Sequence, residues 1–251
     1  MIRSIVAFAL VLTACSGTAD APRISTSETR DVIVNDLTPG RLDIRTMRLP
    51  DGTDLTYGLV LPEGFDPADE YPVLLAFPPG DQGPELMELL AEGTYLPEAL
   101  ARGWVVLTPA APDGVLFFQG SERTIAGFLD ALTWLRPEGG RIHIAGVSNG
   151  GISAFRVAGE MPDRVASVAV FPGFPSTAED RAALEELAAV PVAMWVGADD
   201  VGWFEPMDEA RRILERAGGT VRFDVRQGEG HILRSMSDGT DLFDFLDSAR
   251  R

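Results

Sequence analysis

The sequence predicts an α/β fold with a mostly parallel, twisted β-sheet, helices on both faces and an N-terminal antiparallel hairpin. Short apolar and β-branched runs, typical of strands covered on both faces, alternate along the chain with segments of helical periodicity. This alternation indicates parallel strands joined by crossover helices. Only the first two predicted strands, which flank a tight turn, depart from it.

The individual elements follow from local patterns. Residues 42–49 and 54–61 alternate in polarity around Pro50-Asp51-Gly52, which predicts the hairpin. Further strands are predicted at residues 73–77, 104–108, 141–147, 165–171, 191–196 and 220–225. Helices are predicted at residues 84–102, 124–135, 152–160, 178–188, 205–217 and 241–250. About twenty residues separate the strand ending at 171 from the next, which leaves no room for a large cap domain.

The composition is that of one globular domain with a substantial core. The chain has 251 residues, of which 45% are hydrophobic and 24% charged. Its formal net charge is -17, and all 21 basic residues are arginine. A nucleic-acid partner is therefore disfavoured, because a surface that binds phosphates needs clustered positive charge.

The first residues have the pattern of an export signal. Arg3 precedes an apolar stretch, residues 5–12, that is too short to span a bilayer stably. The boundary Leu12-Thr13-Ala14-Cys15 resembles the lipobox of bacterial lipoproteins, which implies lipidation of Cys15. Cleavage near Ala14 without lipidation, or a retained anchor, are the alternatives. Because no aspartate follows Cys15, the resemblance implies an exported cell-envelope lipoprotein, which in a bacterium with two membranes belongs to the outer membrane, facing the periplasm.

The segment Gly146-Val147-Ser148-Asn149-Gly150 matches the G-x-S-x-G pattern of a nucleophile elbow. The pattern alone is common, but here it lies between a predicted strand and a predicted helix. A sharp strand-to-helix turn exposes the serine oxygen, and its glycines keep side chains out of crowded backbone. Ser148 is therefore the candidate nucleophile.

A serine hydroxyl needs an adjacent base, and that base needs a third group to orient it. The chain has two histidines. His143 lies five residues before Ser148 on the same predicted strand, roughly 16 Å away at 3.3 Å per residue, and is expected in the core or behind the residues of the site. His231 follows the last predicted strand and is the candidate base. Asp199 and Asp200 follow the strand predicted at 191–196, and either could supply the acid.

Residues 141–151 resemble the elbow of the polyhydroxybutyrate depolymerase and feruloyl esterase branch of the α/β-hydrolase family. Residues 61–65 and 161–165 are similar to flanking segments of that family. The resemblance extends from about residue 42 onward. It implies a carboxylic ester hydrolase without metal or organic cofactor, acting on a small-molecule or polymeric ester. The family order of serine, acid and histidine and its spacing imply Ser148, Asp200 and His231, with Asp199 as the alternative acid.

The resemblance also implies an oxyanion hole built from two backbone amides. One is expected from Asn149, the residue after the nucleophile. The second comes from the turn after the third strand, where Pro78-Pro79-Gly80 replaces the usual His-Gly of the family. Prolines have no amide hydrogen, so Gly80 and Asp81 are the first available donors, and Gly80 is preferred.

Aromatic residues near the same sheet edge, Phe118 and Trp203, are candidate substrate-binding residues, with core packing as the alternative. The predicted organisation is a lipoprotein signal peptide at 1–14, a lipid-anchored flexible linker at 15–38 and a catalytic domain at 39–251. Two other functions remain open: a serine peptidase of the prolyl-oligopeptidase type, and a catalytically inactive hydrolase-fold binding lipoprotein.

Overall fold

Eight strands form one mixed sheet in the computed structural model, which describes residues 36–250. The strands are β1 (Leu42–Arg48), β2 (Asp54–Val60), β3 (Val73–Phe77), β4 (Val105–Pro109), β5 (Ile142–Gly146), β6 (Val165–Val170), β7 (Val192–Gly197) and β8 (Val221–Arg226). Their order in the sheet is β1-β2-β4-β3-β5-β6-β7-β8. β2 pairs antiparallel with β1 and β4, and all other neighbours are parallel. The predicted fold class is confirmed.

Helices connect the strands across both faces of the sheet. They are α1 (Pro84–Leu90), α2 (Leu96–Arg102), α3 (Arg123–Ala131), α4 (Asn149–Glu160), α5 (Ala178–Ala183), α6 (Val201–Arg216) and α7 (Thr240–Ala249). Between β6 and β7 the chain forms only α5 and a short 3-10 turn at Glu186–Ala189. The carboxyl edge of the sheet is therefore not covered by a separate domain at this connection.

Several helix predictions were wrong in their extent. The helix predicted at 178–188 ends at Ala183, before a 3-10 turn at Glu186–Ala189, and the helix predicted at 205–217 begins earlier, at Val201. The single helix predicted at 84–102 is divided by a π-helical turn at Ala91–Tyr95. Pro97 lies at the start of α2, where it removes a backbone donor and displaces the carbonyl four residues earlier, so the helix widens there. The helix predicted at 124–135 ends at Ala131, because Leu132 leaves helical geometry and the chain turns to bury Trp134.

Apolar side chains cover both faces of the sheet. Successive strand residues point to opposite faces, so Leu74 and Leu75 contribute to different cores. The larger core includes Leu75, Phe128 and Phe155, and the smaller includes Leu74, Trp104 and Phe243. All residues of β3, β4, β5 and β7 are buried. The central sheet is thus a rigid support for the loops at its carboxyl edge.

The predicted signal peptide at 1–14, Cys15 and most of the predicted linker lie outside the described residues. Within residues 36–250, no helix has the length and apolar character needed to cross a membrane.

Candidate active site

Ser148 lies in a sharp turn between the end of β5 and the start of α4. Its backbone has φ 56° and ψ −119°, a conformation that is rare for a residue with a side chain. The Ser148 amide donates to the carbonyl of Pro172 at 2.8 Å, which holds the turn against the end of β6. A strained backbone conformation persists only where contacts with the surrounding structure hold it in place, and such conformations are frequent at functional sites.

Three glycines around Ser148 permit this turn. A Cβ on Gly146 would lie 2.0 Å from the Gly150 carbonyl oxygen, and one on Gly150 would lie 2.1 Å from that of Phe77. A Cβ on Gly151 would lie 2.3 Å from the Pro172 carbonyl oxygen. All three distances are far inside van der Waals contact, so the elbow requires glycine at each position.

The structure brings Ser148, His231 and Asp200 together. Ser148 Oγ is 2.8 Å from His231 Nε2, and His231 Nδ1 is 2.8 Å from Asp200 Oδ2. Because a carboxylate only accepts, Nδ1–H donates to Asp200 and Nε2 is left to accept from the serine hydroxyl. Asp200 is buried at 9% exposure, whereas the His231 side chain is 40% exposed. The arrangement can transfer a proton from the serine to the imidazole at a site open to solvent.

Asp199 and Asp200 have different environments. Asp200 precedes the first residue of α6, yet its carboxylate bonds His231 instead of capping that helix. Asp199 is exposed, and its backbone amide donates to the Glu229 carbonyl at 3.0 Å. Of the two carboxylates that the sequence left open, Asp200 is the one in contact with His231.

The loop that carries His231 is fixed by groups that sequence reasoning missed. The Glu229 carboxylate accepts from the Ser235 amide and hydroxyl, both at 2.9 Å, and so closes the loop around the histidine. A Cβ on Gly197 would lie 2.2 Å from the carbonyl oxygens of Glu229 and Gly230. Glycine at the end of β7 therefore lets the histidine loop approach the loop that carries Asp200.

Trp203 packs directly against the imidazole, with the two ring centroids 4.7 Å apart. Phe174 in turn contacts Trp203 edge-on at 4.9 Å. Phe118 is half-buried in the loop before α3, and among residues 36–250 it makes none of the aromatic contacts that reach His231. Of the two candidate substrate-binding residues, only Trp203 is joined to the site by such a contact.

The expected oxyanion donors lie on two adjacent segments. The Asn149 side chain donates from Nδ2 to the Gly80 carbonyl at 2.8 Å, which joins the start of α4 to the turn after β3. Within the described part of the chain, the backbone amides of Asn149, Gly80 and Asp81 have no hydrogen-bond acceptor. Unpaired amides at the start of a helix and in an adjacent turn can bind a developing negative charge.

Sequence reasoning also missed Gln82 and Ser153. Both are fully buried and hydrogen-bonded to one another beside the turn that contains Gly80. Local patterns give no signal for them, because the two residues are 71 positions apart.

A second histidine–serine pair lies in the core. His143 Nδ1 is 2.7 Å from Ser167 Oγ, and the exposed fractions of the two residues are 3% and 0%. Burial, together with the positive charges of Arg250 and Arg141, lowers the pKa of His143 to about 4. His143 is therefore a neutral core residue that satisfies a buried hydroxyl.

Residues 36–250 contain no group of three or more His, Cys, Asp or Glu side chains placed to hold a metal ion.

Comparison with protein-family models and with curated protein sequences gives no match. Solved structures do match. A thermostable esterase is 16% identical with a TM-score of 0.64, and the match covers 84% of this chain and 60% of that chain. A ferulic acid esterase is 18% identical with a TM-score of 0.64, over 84% of this chain and 97% of that chain.

The same fold is also present in peptidases. Dipeptidyl peptidase 4 of Porphyromonas gingivalis is 13% identical with a TM-score of 0.61, and the match covers 90% of this chain but 37% of that chain. Such low identities show the fold alone. The chain has the α/β-hydrolase fold, a fold found in esterases and other hydrolases.

Proposed function

We propose that this protein is a serine hydrolase that cleaves carboxylic esters, with Ser148 as nucleophile, His231 as general base and Asp200 as the orienting acid. The observation that carries the proposal is that two hydrogen bonds join these three side chains, with Ser148 in a strained strand-to-helix turn. A nucleophile, a base within hydrogen-bond reach and a third group that orients the base are together what acyl transfer requires.

In the proposed mechanism, His231 Nε2 accepts the hydroxyl proton as Ser148 Oγ attacks the ester carbonyl. Asp200 stabilises the imidazolium that forms and keeps Nδ1 protonated. The backbone amides of Asn149 and Gly80 bind the oxyanion of the tetrahedral intermediate. His231 then protonates the leaving alcohol, and a water molecule that it activates hydrolyses the acyl-enzyme.

Trp203 is proposed to contact the substrate as well as the base. Its ring lies against His231, so a group bound beside the imidazole meets an aromatic face. Phe118 is proposed as a second apolar contact from the loop before α3. Neither residue defines the acyl group or the alcohol, because the same fold serves many substrates.

The ester and peptide alternatives are separated by a matched pair of substrates. We expect Ser148-dependent hydrolysis of p-nitrophenyl acetate and no measurable Ser148-dependent cleavage of the p-nitroanilide of a dipeptide. Ser148→Ala is the control for both reactions. Ser148-dependent cleavage of the anilide favours the peptidase, and no Ser148-dependent turnover of either substrate favours the binding lipoprotein.

We further propose that the protein is an exported lipoprotein of the cell envelope, anchored by a lipid at Cys15, in the outer membrane facing the periplasm. The support is the apolar N-terminal stretch followed by Leu12-Thr13-Ala14-Cys15. The intact mass of the full chain purified from bacterial membranes tests it. A mature chain that begins at Cys15 with a diacylglyceryl-sized addition is expected, and a chain without that addition contradicts the proposal.

A further inference from the structure

Gln82 is a fully buried amide beneath the turn that follows β3. Its Nε2 donates to Ser153 Oγ at 2.9 Å, and its Oε1 accepts from the Phe117 amide at 2.9 Å. An unpaired buried amide would be costly, so partners at both ends hold the side chain in one orientation. This single side chain connects the turn after β3, helix α4 and the loop before α3.

The backbone of Gln82 fixes the turn itself. Gln82 has φ 56°, and its amide donates to the Pro79 carbonyl at 3.0 Å, which closes a four-residue turn around Gly80 and Asp81. The Gln82 carbonyl accepts from the Ala111 amide at 2.8 Å, which ties the turn to the end of β4. Any shift of Gln82 therefore moves the peptide that contains Gly80.

Two hydrogen-bonded connections join this turn to the helix that begins beside the nucleophile. Ser153, the partner of the Gln82 side chain, donates to the Asn149 carbonyl at 3.1 Å. The Asn149 side chain donates to the Gly80 carbonyl at 2.8 Å. The two proposed oxyanion donors, Asn149 and Gly80, thus lie on one closed network with Gln82 at its buried end.

We propose that Gln82 is a positioning residue for ester hydrolysis. It holds the Gly80 amide at the distance from the Asn149 amide at which both can bind the same oxyanion. The inference rests on the proposed function. Oxyanion donors act at 2.7–3.1 Å from the developing charge, so a small displacement of the turn weakens stabilisation of the transition state more than substrate binding. Gln82 acts through the turn and does not touch the substrate.

The test is Gln82→Met, which keeps the length of the side chain and removes both of its hydrogen bonds. We expect kcat for p-nitrophenyl acetate to fall about 10- to 100-fold, with KM changed less than about threefold. The inhibition constant of an alkyl trifluoromethyl ketone, which forms an oxyanion on the attacking serine, should rise by the same factor. Gln227→Met, at an exposed glutamine, is the matched control and should match wild type.

A purely structural role predicts a different result. In that case the midpoint of thermal unfolding falls, while kcat and the inhibition constant of the folded variant stay at the wild-type values, and this result overturns the proposal. Ser153→Ala provides a second variant if Gln82→Met does not fold. It removes the hydroxyl that accepts from Gln82 Nε2 and donates to the Asn149 carbonyl, and it should lower kcat about 3- to 10-fold with KM changed little.

Labelling of Ser148 with a fluorophosphonate separates this inference from the function it rests on. If the folded wild-type protein is not labelled, the proposed function fails and the positioning role fails with it. If the wild-type protein is labelled and hydrolyses the ester, wild-type kcat in both Gln82→Met and Ser153→Ala overturns the positioning role alone.

Discussion

Two histidine–serine pairs of almost equal length lie on the same sheet. Ser148 Oγ and His231 Nε2 are 2.8 Å apart at the carboxyl edge of the sheet, and Ser167 Oγ and His143 Nδ1 are 2.7 Å apart in the core. Distance alone therefore does not distinguish a site from a core contact. The surroundings of the two pairs do.

Three differences separate the pairs. The edge pair has a third partner, Asp200, on the far nitrogen of the imidazole, and Ser148 has a positive φ that His143 and Ser167, both within strands, lack. The His231 side chain is 40% exposed, whereas His143 is 3% exposed. A base must be oriented and must reach the substrate, and burial favours only the neutral form of His143. Orientation of the base by a third group and access of the base to solvent therefore distinguish the candidate site from the core pair.

The largest contrast is expected from alanine at the two serines. Ser148→Ala should lower kcat for p-nitrophenyl acetate about 10⁶-fold, because the nucleophile is lost. Ser167→Ala should leave kcat within about twofold and lower the free energy of unfolding by about 1–3 kcal/mol, because the His143 ring loses its buried partner. Initial rates and urea unfolding of both variants measure this. Equal loss of activity in the two variants would contradict the distinction between the pairs.

The second contrast uses the adjacent carboxylates. Asp200→Asn should fold normally and lower kcat about 10⁴-fold, because an amide at this position favours the wrong imidazole tautomer. Asp199→Asn is the matched control and should retain activity, since its carboxylate is exposed. Steady-state kinetics with circular dichroism to verify folding tests both. Near-normal turnover of Asp200→Asn with a collapse in Asp199→Asn would assign the acid to Asp199.

The third prediction concerns the stability of the core pair in acid. The pKa of His143 is about 4 in the folded protein, against about 6.5 for an unperturbed histidine, so the unfolded chain binds this proton first. Its contribution to stability is complete above pH 6.5 and is lost as the pH falls towards 4, by about 3 kcal/mol.

The variant His143→Asn removes that titration. Between pH 6.5 and pH 4, its free energy of unfolding should decrease by about 3 kcal/mol less than that of the wild-type protein, as measured by urea unfolding at each pH. Carboxylates that titrate in the same range are common to both proteins and cancel in the comparison. Parallel pH dependence in the two proteins would show that His143 binds its proton over the same pH range in the native and unfolded states, which would contradict the lowered pKa of His143.

The smallest effect is expected from Trp203, whose ring packs against the imidazole of His231. Trp203→Leu should lower kcat/KM about 3- to 10-fold, because His231 loses the ring that packs against it. Trp203→Phe keeps an aromatic ring and should stay within about twofold of wild type. If Trp203→Leu is as active as Trp203→Phe, the aromatic ring at this position does not contribute to catalysis.

Local patterns in the sequence predicted the sheet and the elbow well. Alternating runs define the strands to within one or two residues, and the glycines around Ser148 predicted a turn whose crowding the structure explains. The resemblance to the α/β-hydrolase family selected Asp200 over Asp199, and the contact of Asp200 with His231 is consistent with that preference.

Contacts between distant segments could not be predicted in this way. Gln82 and Ser153 have no local signature, because their role depends on a hydrogen bond between a turn and a helix that meet only in the folded chain. The contact of Trp203 with His231 likewise depends on how α6 packs beside the histidine loop. The π-helical turn at Ala91–Tyr95 interrupts a segment of helical periodicity, and this periodicity alone does not indicate the interruption.

The measurement that tests the central claim most directly is the site of fluorophosphonate modification on the folded protein. We expect one adduct per chain by intact mass, located by peptide mapping at Ser148, and absent in Ser148→Ala but present in Ser167→Ala. An adduct that persists in Ser148→Ala, or no adduct on the folded wild-type protein, would contradict the assignment of Ser148 as an activated nucleophile.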